Sequence, residues 1–340
     1  MSHAARFKAL LPPLALTIAL ACLQSLHAAD GADQASRLTA VRFPQNPVIR
    51  PDMLPGADGQ NINGPSLIRV PDWIEKPLGR YYLYFAHHGG KYIRLAFANH
   101  LEGPWTIYAP GTLSLKEAAA ANPDCSGHIA SPDVHVDDAA RQIRMYFHCP
   151  VKGAGQATMV ALSADGIHFT PRPEPLGISY MRVIRWGGAF YALDRAGMLL
   201  RSTDGLTRFQ KVSDALARAS HDAAAGASFR HGAFRLDGNS LAVFYCRVGD
   251  APERILMSRI ELTPDPATWT ASPPVRILEP ESDYEGANMP VVQSKDGRTP
   301  PVRALRDPCI FRDGSKTYLL YSVKGEYGIA IAELKDSVKK

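Results

Sequence analysis

The feature that most constrains this chain is a unit of two short strands joined by a tight turn, clearest near the C-terminus. Arg306-Asp307-Pro308-Cys309-Ile310-Phe311-Arg312 runs into Asp313-Gly314, a strong hairpin-turn dipeptide, and continues as Tyr318-Leu319-Leu320-Tyr321-Ser322. A third strand, Ile329-Ala330-Ile331-Ala332-Glu333-Leu334, follows a turn around Gly325 to Gly328. One such unit cannot bury its own faces, so its recurrence decides the fold. It recurs four times upstream, with first strands at 64–70, 131–136, 180–185 and 231–237. Each is followed by a turn and a second strand, at 81–85, 143–147, 190–193 and 241–245. Counting back from each turn aligns Asp307 with His231, Tyr180, Ser131 and Gly64, at steps of 67, 49, 51 and 76 residues from the first start to the last. Repeats of this size built only from strands are propeller blades. The expected fold is all-β, a five-bladed β-propeller. The fifth blade has only three strands before the chain ends, so a strand at 38–43 is expected to complete it and leave no open edge.

Residues 1–29 read as a secretory signal peptide. Arg6 and Lys8 give a positive start, 10–23 an apolar stretch, and Ala28-Ala29 a small-residue cleavage region. Residues 30–340 then form a single propeller domain, secreted or periplasmic, with no membrane span once the signal is removed. Taking away Arg6 and Lys8 lowers the formal charge from +5 to +3, and no run of basic residues points to nucleic acid as a partner. Four cysteines remain: Cys125, Cys149, Cys246 and Cys309. Cys125 precedes the second blade and Cys149 ends that blade's second strand, which brings the two close. Cys246 and Cys309 fall on neighbouring blades. An exported chain permits disulfides, and buried free thiols are the alternative. No Cys or His spacing marks a structural zinc.

Strands alternate direction within a blade. The loop leading into the first strand and the loop joining the second to the third therefore emerge on one face. Polar residues gather there, whereas the opposite face receives mostly turn residues such as Asp237-Gly238 and Asp313-Gly314. The catalytic candidates are Asp307 as base, Glu285 or Glu326 as acid, and Asp133 and His231 as positioning or proton-transferring groups. Asn63, His87, His88, Tyr180, Arg182, Arg230, Arg247, Glu253 and Arg306 are the substrate-binding candidates. Enclosure in a narrow pore would favour a protonated glutamic acid at position 326 or 253. Arginine forks suit carboxylates and favour an acidic sugar over a neutral one.

The Asp-Pro blade start, the aromatic second strands at 81–85 and 318–322, and Leu101-Glu102-Gly103-Pro104-Trp105 together resemble the five-bladed glycoside hydrolases of family 43 and its relatives. The resemblance implies an axial pocket, hydrolysis of oligo- or polysaccharide chain ends, and a calcium or other divalent cation held in the central pore. It does not carry over the family's three catalytic acids. The first blade opens at Asn63-Gly64-Pro65 and the third at Ser179-Tyr180-Met181, and the Arg-Asp-Pro start stands in the fifth blade. Two alternatives follow. One is a polysaccharide lyase in which His231 or Tyr180 removes a proton beside an arginine-neutralised uronate. The other is a non-catalytic sugar-binding propeller, against which the five unlike aligned residues argue.

Overall fold

The computed structural model describes residues 38–295, 297 and 300–336, together with Met1; the rest of the expected signal segment lies outside the described residues. The first strand, β1 (Leu38–Arg42), stands apart from the blade nearest to it in sequence. The first blade is β2 (Asn63–Arg69), β3 (Tyr81–Ala86), β4 (Arg94–Ala98) and β5 (Thr106–Tyr108). The second is β6 (Ala130–Asp137), β7 (Gln142–Val151) and β8 (Gly155–Ser163), with β9 (Thr170–Pro171) and β10 (Gly177–Ile178) both pairing on the edge of β8. The third is β11 (Arg182–Trp186), β12 (Ala189–Leu193), β13 (Leu199–Ser202) and β14 (Gln210–Ser213). The fourth is β15 (Ser228–Asp237), β16 (Ser240–Val248), β17 (Ile255–Glu261) and β18 (Val275–Leu278). The fifth is β19 (Arg306–Asp313), β20 (Lys316–Ser322) and β21 (Ile329–Asp336), and β1 is its outer strand, paired antiparallel to β21. The chain is an all-β, five-bladed propeller closed by its N-terminal strand.

Local chemistry sets the hairpins. Gly187 and Gly188 both take positive φ (55° and 78°) in the two-residue loop between Trp186 and Ala189, the geometry that a right-twisted hairpin needs. Two short helices bridge blades. One, α1 (Leu115–Ala121), is opened by a Ser114/Glu117 capping box; the other is α2 (Ala215–Ser220).

The core is divided among the blade interfaces. Five buried clusters, among the described residues, correspond to the five junctions between neighbouring blades. In the first-to-second junction Tyr84 and Phe147 meet Ile143 and Met159; in the fifth-to-first, Phe85 and Leu83 meet Ile331 and Leu320. Each second strand therefore reads as a run of aromatic and aliphatic residues, buried on both faces like a parallel strand although its pairing is antiparallel.

Around the axis, where backbones splay apart, side chains staple inner strands together. Val134 N donates to Ser66 Oγ (2.8 Å), Val183 N to Asp133 Oδ2 (2.8 Å), and Gly64 N to Asp307 Oδ2 (3.3 Å). Polar side chains of the inner strands thus hold the ring shut as well as lining it.

Candidate active site

The residues that the repeat aligns share a backbone device. Register slips between Asn63 and Ser66, Ala130 and Asp133, Phe229 and Gly232, and Arg306 and Cys309, so four of the five inner strands bulge at their start. Gly64, Ser131, Tyr180 and Asp307 take left-handed φ of 60°, 54°, 64° and 48°. A bulge at the rim of a closed sheet re-aims a side chain. Holding a serine, a tyrosine and an aspartate in that region costs about 1–3 kcal/mol each, and such strain clusters at functional sites.

The result is a constellation at one mouth of the channel. His231 Nδ1 lies 2.5 Å from Asp307 Oδ1, and Asp307 Oδ2 also accepts from Ser322 Oγ (3.1 Å). The Tyr180 ring lies between His148 (centroids 4.6 Å) and His231 (4.7 Å), and His128 follows at 5.4 Å from His148. Burial opposes charge on Asp307, but the contact with His231 and the fields of Arg230 and Arg306 outweigh it and hold the carboxyl far below the usual range. Burial outweighs Asp307 in its effect on His231 and pushes that imidazole below its ordinary value of 6.5, so it is neutral at physiological pH. Burial, with the Asp307 and Glu326 charges, raises the Tyr180 phenol to about 12.

Behind this group runs a buried ladder of alternating groups. Ser294 Oγ, Arg306 Nε and Arg230 Nη1 lie 2.5, 2.7 and 3.5 Å from Glu253 Oε2. Arg306 Nη1 then reaches Glu326 Oε1 (3.0 Å), whose Oε2 meets Asn61 Nδ2 (2.6 Å), Asn63 Nδ2 (3.2 Å) and His88 Nδ1 (3.4 Å). Burial opposes charge on Glu326 too, yet the His88 hydrogen bond and Arg306 bring it down to about 2. Above the ladder opens a cavity of about 440 Å³ whose walls include His88, Gln156, Tyr180, Arg195, Arg230 and His231. Among the described residues, no aspartate or glutamate lines it.

No family model matches this sequence. The uncharacterized protein R118 of Acanthamoeba polyphaga mimivirus is 38% identical over 325 residues, covering 88% of this chain and 91% of the relative. The chain belongs to the R118 family. Its structural neighbours are five-bladed glycoside hydrolases of family 43. The GH43_1 enzyme from Xanthomonas citri matches with a TM-score of 0.55 at 13% identity, over 90% of this chain and 94% of the neighbour. A β-xylosidase/α-arabinofuranosidase from a compost metagenome matches at 0.53 and 14%, over 81% and 91%. An exo-1,5-α-L-arabinanase from a bovine ruminal metagenomic library matches at 0.53 and 12%, over 80% and 92%. At such identities the likeness is one of fold.

Within this R118-family chain the expected site residues divide into three groups. Asp307, His231, Tyr180, Arg230 and His88 meet at the mouth, and Asn63, Glu253, Arg306 and Glu326 form the buried floor beneath it. Five residues stand elsewhere. Glu285 is no axial acid: it closes a capping box with Ser282, accepts from Arg42 Nε (2.8 Å) and Tyr321 Oη (2.8 Å), and anchors β1. Arg247 is gripped by both oxygens of Asp250 (Nη2 to Oδ1, 2.8 Å), because side chains alternate along β16 and its neighbour Val248 takes the pocket side. Asp133 and Arg182 sit one layer further along the channel, lining a second cavity. The His87 ring accepts from Gly89 N (3.0 Å) within its own turn. Glu326 is also corrected, from a protonated acid to a carboxylate held ionised by His88 and Arg306. Gln156 and Phe229 line the pocket and were not among the expected site residues. Gln156 is the second residue of β8, directly after the second-to-third loop of its blade, the class of loop that faces the mouth, so its position was available.

The axis does not fit a resident divalent cation. Asp307 has both oxygens engaged by protein donors, and no group of three or more His, Cys, Asp or Glu among the described residues has a metal-holding arrangement. Cys125 and Cys149 form a disulfide, while Cys246 and Cys309 are buried free thiols.

Proposed function

We propose that this protein is a secreted or periplasmic carbohydrate-active enzyme, a glycoside hydrolase, that receives the end of an acidic oligo- or polysaccharide in the axial pocket. The observation that carries the reading is a pair of imidazoles on that pocket, each met at Nδ1 by a buried carboxylate: His231 by Asp307 and His88 by Glu326. A carboxylate on Nδ1 fixes the tautomer and leaves Nε2 for proton transfer. His231, kept neutral, takes a proton from the attacking water. His88, beside the Glu326 charge, returns one to the departing glycosidic oxygen. Asp307 and Glu326 orient these rings and exchange no proton with the sugar, unlike the paired carboxyl groups that glycosidases usually employ. Arg195 and Arg230 on the pocket wall favour a uronate over a neutral sugar. The disulfide and the signal-like N-terminus support an oxidising compartment.

Tyr180 favours a second reading. Its protonated phenol ring lies tilted against neutral His231, so β-elimination is also served: the imidazole removes the proton beside the uronate carboxylate and the phenol protonates the leaving oxygen. Incubation with neutral and acidic oligosaccharides separates the two. New reducing ends without ultraviolet absorbance mean hydrolysis, and absorbing unsaturated products mean elimination. Cleavage of none of the panel would remove both.

A further inference from the structure

The channel has a second mouth, and it is not the inert turn face that the sequence leads one to expect. Inner-strand residues two apart descend in layers: Tyr180, Arg182 and Ile184 on β11 and its approach, and His231, Ala233 and Arg235 on β15. Arg182 closes the waist between the mouths, its Nη1 donating to Pro132 O (2.9 Å) and Ser131 O (3.4 Å). Beyond it opens a cavity of about 330 Å³, walled by β6, β11, β15 and β19. A further cavity of about 310 Å³ shares His135, Val183, Ile184 and Arg185 with it, so the two adjoin along β11 and form a groove over the turn ends of the second to fifth blades.

Arg182, Arg185, Arg235 and Arg312 line the first cavity with Asp133, and Arg144 lines the second with Asp137 and Asp138. Asp137 Oδ2 accepts from Arg144 Nη2 (3.1 Å) and Asp138 Oδ1 from Trp73 Nε1 (2.9 Å). Asp237 accepts from Arg235 (2.7 Å) and Arg312 (2.9 Å), which absorbs two of the four. Asp133 Oδ2 is taken by Val183 N and His135 Nε2, both at 2.8 Å. Exposed Arg185 meets no carboxylate among the described residues; its guanidinium carbon lies 5.8 Å from the Phe190 ring. Phe234 and Phe190 add flat apolar surface to the two cavities.

We infer that this groove is a second, non-catalytic carbohydrate site, which holds an acidic sugar by its carboxylate on Arg185 and Arg182 and by its ring face on Phe190 or Phe234. A guanidinium fork beside aromatic rings is the combination that recognises a planar carboxylate on a sugar with one apolar face. The site tethers a second stretch of an acidic glycan on the face away from the axial pocket.

The test is calorimetric and NMR titration of the full mature chain with glucuronate, glucose and inorganic phosphate, using wild type, Arg185→Gln and Arg185→Lys. Arg185 is exposed, so neither substitution threatens the fold. Glucuronate binding is expected to weaken roughly tenfold or more in Arg185→Gln and to recover in part in Arg185→Lys, which keeps the charge but not the fork. Glucose should not bind this site, and cleavage at the axial pocket should not change. Glucuronate binding that is absent, or indifferent to Arg185→Gln, overturns the inference. Inorganic phosphate binding as tightly as glucuronate and through the same arginine overturns the sugar assignment. If no glycan in the panel is cleaved yet glucuronate binding still depends on Arg185, the axial chemistry fails and this site stands.

Discussion

At the scale of single residues, Asp307 and His231 depend on each other. Asp307→Asn keeps the size and much of the hydrogen bonding but loses the charge that fixes the imidazole tautomer. Turnover should fall about 10²–10⁴-fold while the circular dichroism spectrum is unchanged. Burial pushes His231 below its ordinary value, so the acid limb of kcat/KM should fall below pH 6.5 and activity should be lost as His231 takes a proton. A pH–rate profile reads this directly; a limb at or above 6.5 would assign the base elsewhere. The alignment of His231 with Asp307 was legible in the sequence, because counting back from Asp237-Gly238 and Asp313-Gly314 places them at one level. The role of Glu285 was also legible but easily passed over. Ser282-Asp283-Tyr284-Glu285 has capping-box spacing, a better account of a loop glutamate than an axial address. Its partner Arg42, 243 residues away, was beyond local pattern.

At the scale of elements, closure by β1 depends on a partly buried ion pair. Arg42→Ala leaves Glu285, whose side chain is fully buried, without its cation, and should cost about 3–5 kcal/mol in chemical denaturation. A double replacement by well-packed apolar residues should recover much of that loss. The Cys125–Cys149 disulfide closes a loop of 24 residues, and removing it should cost about 3 kcal/mol if chain entropy dominates. Strand existence was readable from alternation and turn dipeptides. The outer edge of the second blade was less so: the structure divides that edge between β9 and β10. The inner-strand bulges were hidden as well. A bulge is a two-against-one pairing between strands, and only the prolines after Gly64, Ser131 and Asp307 hint at it.

At the scale of the whole molecule, the ring is locked by buried charge on one side and by interface cores all round. Glu326 has its folded value depressed from 4.5 to about 2, so its share of stability is full above the unfolded value and is lost as pH falls through the folded one. His231, also depressed, loses its share as pH falls below 6.5. Both act in the same sense. The melting temperature should therefore decline from neutral pH downward and steepen between about pH 4.5 and 2, with a Glu326 share on the order of 3 kcal/mol. A Glu326→Gln variant with an unaltered pH profile would contradict this. The sequence made the one-sided gathering of polar loops visible. It did not separate the two layers of the channel, because a step of two residues along β6 or β11 carries a side chain from one mouth towards the other.

The most direct measurement is kcat/KM of His231→Gln against wild type on the best-cleaved acidic oligosaccharide, with thermal unfolding followed in parallel. The account predicts a loss of about 10²-fold or more in a protein that still melts cooperatively as a folded ring. Turnover within about twofold of wild type in the folded variant would show that the axial imidazole moves no proton in the reaction.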